Sequence, residues 1–306
     1  MSERSTPFAY KRHYNRREAL TAYAFLSPAI ILFCLFILVP TVWVVYLSFM
    51  KYDIITPAKF VQGMNWRRLW GDQRMWQTLK NTGKFVLLLV PMHLIMGTLL
   101  ALGVNVLKNR AGVYFFRTLY YFPTLVTSAS VILAWRYMLS ADTGMINYYL
   151  GLLGIQAIPW LSSSFWVYPA TMLFSLWKFV GTYFLYFFIG VQNIDQGLIE
   201  ASKIDGANAW QRLRSITLPQ LSPTMFFVMV TQLIGCIQIF DEPFLLTRGG
   251  PGDASRSISV YIYETAYRSQ LYGYASAIAL VLLAIILVIT LVQMRASNMW
   301  VTYDRE

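Results

Sequence analysis

The sequence predicts an all-α polytopic membrane protein with six transmembrane helices, a prediction that rests on composition, run length and the absence of strand periodicity. Charged residues are 13% of the 306 positions and apolar types 57%, against about 25% charged in an average soluble domain. A water-facing surface is hard to assemble from that mixture. Continuous apolar runs of roughly 20 residues recur along the chain, the length a helix needs to cross about 30 Å of hydrocarbon. The runs lack the strict alternation of barrel strands, and a bilayer admits only helices or closed barrels because backbone groups must be satisfied internally.

The runs fall at residues 24–49, 85–107, 120–139, 170–191, 225–246 and 275–292. The first follows a basic tail containing Arg4, Lys11, Arg12, Arg16 and Arg17. It exceeds the roughly 7–15 apolar residues of a cleavable signal, and no small-x-small site precedes Lys51, so it is read as a retained span. Pro28, Pro40, Pro91 and Pro123 sit within or beside spans, where neighbouring helices can satisfy a kink. No stretch is left for a soluble domain. The chain is therefore read as one transmembrane domain at 24–294, with tails at 1–23 and 295–306.

The net charge of +11 is distributed between the apolar runs, which suits anionic headgroups better than nucleic acid. Cys34 and Cys236 lie in apolar runs, where cysteine behaves as a small hydrophobe. No cluster of acids, bases or metal ligands stands out, so no catalytic or metal site is expected. Gly83-Lys84 lacks the preceding glycine and following Ser/Thr of a phosphate-binding loop. His93 is alone in its span and is expected to make a buried hydrogen bond. Tyr120, Tyr121, Trp135, Trp160 and Trp166 are read as interfacial anchors.

Six spans place both termini on one side of the membrane. The basic tail and the Lys/Arg-free loop at 140–168 favour a cytoplasmic N-terminus, whereas the first loop, with Lys51, Lys59, Arg67, Arg68, Arg74, Lys80 and Lys84, opposes it. Both termini are expected to be cytoplasmic.

The segment at 195–223 joins spans four and five. Apolar residues recur at Ala201, Ile204, Ala207, Trp210, Leu213 and Ile216, a spacing that fits short helices with one apolar face. Gly206 is placed to bend the chain after the first helix, and Pro219 and Pro223 bracket the start of span five. The reading is helix, tight turn, helix, membrane.

Glu200-Ala201-Ser202, Asp205-Gly206-Ala207, Ile216, Leu218-Pro219 and Pro223 resemble the EAA loop of ABC-importer membrane subunits, with Ser202 in place of the second alanine and Leu213 where phenylalanine is common. The resemblance implies a type I ABC importer permease fold in a bacterial or archaeal cytoplasmic membrane. It further implies that Glu200, Ala201, Ser202, Asp205, Gly206, Ala207, Leu218 and Pro219 form a coupling helix that docks on a separate ATPase. ATP and magnesium would then be bound by partner subunits, with no cofactor on this chain.

Arg117 to Pro123, Trp177-Lys178 with Gly181, Gly190-Val191-Gln192, Phe240-Asp241 and Leu246-Thr247-Arg248-Gly249-Gly250-Pro251 are similar to motifs of carbohydrate-type permeases, the group of maltose and glycerol-phosphate importers. That similarity implies a second homologous permease, two cytosolic ATPase subunits and an extracytoplasmic solute-binding protein as partners, and a sugar or sugar-like solute. Gly249, Gly250 and Pro251 would face the binding protein.

A lysine at bilayer depth is costly unless it pairs or faces water, so Lys178 is a candidate either for the solute path or for a structural partnership. Gln232, Gln238 and Asp241 fall near one face of span five, which lines the path in the resembled family, and Ser175 is a further candidate. Arg136 is expected to snorkel at the end of span three. An ion-gradient-driven secondary transporter is the competing reading, but it leaves the 195–223 pattern unexplained.

Overall fold

The computed structural model describes residues 16–107 and 109–302. Arg4, Lys11 and Arg12 of the basic tail lie outside them.

The described chain is mostly helical. Helix α1 spans Glu18–Ser48 and ends at a two-stranded ribbon of β1 (Met50–Lys51) and β2 (Lys59–Phe60). Helix α2 (Met64–Gly71) leads into α3 (Gln73–Asn105), α4 (Arg110–Leu125), α5 (Ser128–Met138), α6 (Met145–Leu152) and α7 (Val167–Gln192). Two short helices, α8 (Gln196–Ile204) and α9 (Ala209–Arg212), precede α10 (Ser222–Ile237). After α11 (Ile258–Tyr263), α12 (Tyr272–Ser297) closes the bundle. Five helical segments are long and apolar enough to cross a membrane.

The sixth expected span is not straight. Residues 120–139 straddle a 96° bend between α4 and α5, because Val126 and Thr127 adopt extended backbone. Pro123, in the last turn of α4, has no N–H to extend the ladder. The second span also differs from expectation, since α3 begins at Gln73 rather than near residue 85. Asp72 explains the earlier start: its carboxylate accepts from the amides of Arg74 and Met75, as an N-cap should.

Helix α7 is central. Its Phe184, Phe187 and Phe188 pack on Ala101 and Val104 of α3, and Val167 and Tyr168 pack on Phe85 and Leu89. In lipid such contacts stabilise through close packing rather than water exclusion. The approach of α4 is closer still. A Cβ at Gly181 would stand 2.0 Å from the Tyr120 carbonyl oxygen, so only glycine permits this crossing.

Both ends of the described chain lie at one end of the bundle. The Thr302 amide donates to Ser222 Oγ at the start of α10, whereas α1 runs away from that end to meet the start of α12, where Gly273 abuts the Met50 carbonyl. Several first-loop cations have local partners. Arg74 pairs with Asp253 at 2.7 Å, and Arg68 and Lys84 lie over the rings of Tyr274 and Tyr168. Trp160, expected as an interfacial anchor, is instead buried, with its indole N–H donating to Asn147 Oδ1 at 2.9 Å.

Candidate functional site

Span five breaks where it meets a partly open cavity. The helical ladder of α10 stops at Ile237, and after a non-helical stretch at 238–240 the chain resumes as a π-helical turn, Glu242–Leu246. The continuous span expected at 225–246 is thus divided. Irregular backbone at membrane depth is tolerated where it lines a cavity or is buried in protein, and here it does the first. Ser257 Oγ donates to the freed Ile239 carbonyl at 2.7 Å.

The cavity, about 360 Å³, is lined by α3, α7 and the broken span. Ser175, Gln232, Gln238 and Asp241 all line it, together with His93, Tyr183 and Glu242. Lys178 is not among the lining residues.

One wall is a closed hydrogen-bond network. Gln232 Nε2 donates to His93 Nδ1 at 2.7 Å and to Cys236 Sγ at 3.2 Å, while Tyr183 donates its hydroxyl to Gln232 Oε1. His93 Nε2 lies 3.2 Å from the Ser175 carbonyl. With the Gln232 amide in this orientation, a His93 ring carrying its proton on Nε2 matches both partners. The network pins α3, α7 and α10 to one another.

Lys178 has another set of partners. Its ammonium donates to the carbonyls of Pro123, at 2.7 Å, and Thr124, at 3.3 Å, and also to that of Val126. These carbonyls cluster where α4 ends, that of Pro123 also accepting from Val126 N at 3.4 Å, and a cation is the favoured group at a helix C-terminus. Thr124 Oγ1 returns a bond to the Lys178 carbonyl at 3.0 Å. The lysine therefore stabilises the bend. Arg136, in the last turn of α5, is half-buried.

The 195–223 loop folds as helix, turn and helix. Asp195 caps α8 by accepting from Gly197 N at 2.8 Å. At the other end Gly206 takes φ +79°, and Ala207 N donates to Ser202 O at 2.9 Å across the turn. This is the left-handed C-terminal cap that glycine adopts without steric cost. Asn208 and Gln211 form a reciprocal capping box that starts α9. The helix continues through a π-helical turn and Leu218–Gln220, with Pro219 and Pro223 each near the beginning of a helical segment.

Glu200, Ala201, Asp205 and Gly206 are exposed, Ala207, Leu218 and Pro219 are half-buried, and Ser202 is buried with its hydroxyl donating to Ile199 O. Ile204 is 86% exposed and Trp210 66%. These large apolar side chains flank the Gly206 turn with none of the described residues over them.

At the opposite end of the bundle, Gly249, Gly250 and Pro251 form a loop locked to α3. Asn81 Nδ2 donates to the carbonyls of Asp253 and Arg256, at 2.7 and 3.1 Å, and Thr82 Oγ1 accepts from Ile258 N. The Arg256 guanidinium lies against Gly249 and pairs with Asp253 and Glu264. The hydrogen bond from Arg74, opposed in part by burial and reinforced by Arg256, holds the Asp253 carboxyl below the usual carboxylate range.

Sequence reasoning missed Glu242. Its side chain is only 5% exposed and faces the cavity. The available signal was an acid immediately after Asp241 inside an apolar run.

A bundle whose fifth span breaks around a polar cavity, with an exposed helix–turn–helix between spans four and five, is the architecture of a solute-translocating membrane subunit. The model of a family described as binding-protein-dependent transport system inner membrane component matches residues 93–297, and the chain belongs to that family. Its members are transport subunits rather than enzymes. The chain is 38% identical to the probable ABC transporter permease protein YesP of Bacillus subtilis, covering 94% of each. It is 32% identical to the lactose transport system permease protein LacF of Rhizobium radiobacter, over 94% of this chain and 96% of that protein. A chain from the crystal structure of a bacterial alginate ABC transporter, in complex with an alginate pentasaccharide-bound periplasmic protein, superposes with a TM-score of 0.81. That match has 25% identity and covers 92% of this chain and 95% of the other.

Proposed function

We propose that this chain is one of two permease halves of an ATP-driven, binding-protein-dependent importer that moves a sugar or sugar-like solute inward by alternating access. The observation that carries the reading is the doubly capped loop, in which a rigid α8, a Gly206 turn and α9 run into span five with Glu200, Ala201, Ile204 and Trp210 presented outward. Large uncovered apolar side chains on an otherwise polar surface mark a docking site. A cytosolic ATPase subunit docked there would move α8 and α9 as ATP binds and is hydrolysed. The motion would pass through α9 to the broken span and switch access to the cavity. ATP and magnesium reside on the ATPase pair, and both termini, at the loop's end of the bundle, are cytoplasmic.

The solute-binding protein would deliver at the opposite end, beside the loop that holds Gly249, Gly250 and Pro251. The sugar class is supported by the lactose and alginate systems named above and by the polar, aromatic-flanked cavity. A photoreactive residue placed at Trp210 tests the docking. It should give a cross-link to the ATPase subunit in membranes holding the assembled complex, and no adduct with that subunit would refute the assignment of the loop.

A further inference from the structure

The polar groups of the cavity divide into two sets by what already satisfies them. Gln232, His93, Tyr183 and Cys236 hydrogen-bond one another and form a fixed wall. Glu242 differs. The residue is only 5% exposed and lines the cavity, and among the described residues its carboxyl is hydrogen-bonded by its own backbone amide and by no other residue. Asp241 beside it, within electrostatic reach of the Lys178 ammonium, and Gln238 on the non-helical stretch make no side-chain hydrogen bonds among the described residues, and both line the same space.

Buried carboxylates are ordinarily paired, because leaving one without a donor is costly. No lysine or arginine is among the cavity-lining residues, and the nearby Lys178 ammonium is engaged by carbonyls of α4 and the bend. No side chain of the described residues supplies a donor to Glu242, and a hydroxyl of an arriving solute can do so. Phe179 and Phe240 add flat apolar faces to the same cavity, whose volume falls within the roughly 300–1,000 Å³ of small-molecule sites.

We infer that Glu242 is a solute-contact and specificity-determining residue, accepting hydrogen bonds from hydroxyl groups of a polyhydroxylated solute as it crosses the broken span. Asp241 and Gln238 extend the same polar edge, whereas Gln232 holds the wall in place. The inference rests on the importer reading above.

The test is the ratio of solute imported to ATP hydrolysed, in proteoliposomes containing the complete transporter and its binding protein. The probe is the disaccharide taken up best from a panel of lactose, maltose, chitobiose and digalacturonate. Glu242→Leu should lower the ratio about tenfold, the scale of a lost hydrogen bond to a charged group, while binding-protein-stimulated ATPase activity stays within about twofold of wild type. Glu242→Gln, which keeps an acceptor, should restore most of the ratio. A wild-type ratio in Glu242→Leu would overturn the inference and leave the importer reading intact. Loss of uptake and ATPase activity together in both variants would also overturn it, because that pattern marks a structural role. Uptake that ran without ATP would overturn the importer reading itself, and this inference with it.

Discussion

The ammonium of Lys178 donates to the carbonyl of Pro123 at 2.7 Å, across the contact between α7 and the bend that follows α4. Gly181, three residues further along α7, abuts the Tyr120 carbonyl, three residues before Pro123. Two motifs far apart in sequence therefore form one joint. The lysine caps the interrupted helix and the glycine permits the approach.

Lys178→Met should destabilise that joint. Three backbone carbonyls would lose a charged donor, and each unsatisfied buried group costs about 1–3 kcal/mol. A melting temperature several degrees lower in detergent, with solute affinity unchanged, is the expected result. Unchanged stability with altered affinity would place the lysine in the solute path instead.

Gly181→Ala should force α4 and α7 apart, since the new methyl cannot coexist with the Tyr120 oxygen at 2.0 Å. The expected loss is about 1–3 kcal/mol, typical of overpacking, read as lower thermal stability of the purified protein. Wild-type stability would show that the helices do not cross at this distance.

The Gly206 turn is the mechanical joint of the exposed loop. Gly206→Ala places a side chain at φ +79° and should cost about 1–2 kcal/mol locally. Gly206→Pro also removes the amide that donates to Lys203 O at 3.1 Å. It should abolish transport and binding-protein-stimulated ATPase activity while membrane insertion persists. An active Gly206→Pro variant would contradict the role given to the turn.

Acid should loosen the 247–257 loop. Asp253 is held below the usual carboxylate range by Arg74, so its stabilising contribution is present above the ordinary aspartate value of about 3.9 and fades as pH falls through its lowered folded value. The partly exposed Arg74 makes the effect small. Hydrogen exchange at residues 250–257 should rise as pH falls, after correction for the intrinsic rate. In Asp253→Asn the same segment should be loosened already at neutral pH, with much less further change.

The membrane class and the helix–turn–helix at 195–223 were legible in the sequence because apolar run length, Gly206, Pro219 and Pro223 are local signals. The bend in span three and the break in span five were not. Residues 120–139 and 225–246 read as uninterrupted apolar runs, yet the structure breaks both, and the groups that support the breaks, Lys178 and Ser257, come from distant segments. Four proposed path residues converge on one cavity, but only three-dimensional contacts separate the internally bonded Gln232 from Gln238 and Asp241. Glu242 was hidden by the same limit, since its significance lies in having no side-chain partner among the described residues.

The central claim is that the exposed loop couples a separate ATPase to transport through this chain. ATP-dependent uptake in proteoliposomes holding both permeases, the ATPase pair and the binding protein measures it most directly. Uptake should require ATP and the ATPase subunits, and should disappear with Gly206→Pro. Uptake that persisted without the ATPase and followed an imposed ion gradient would contradict the account.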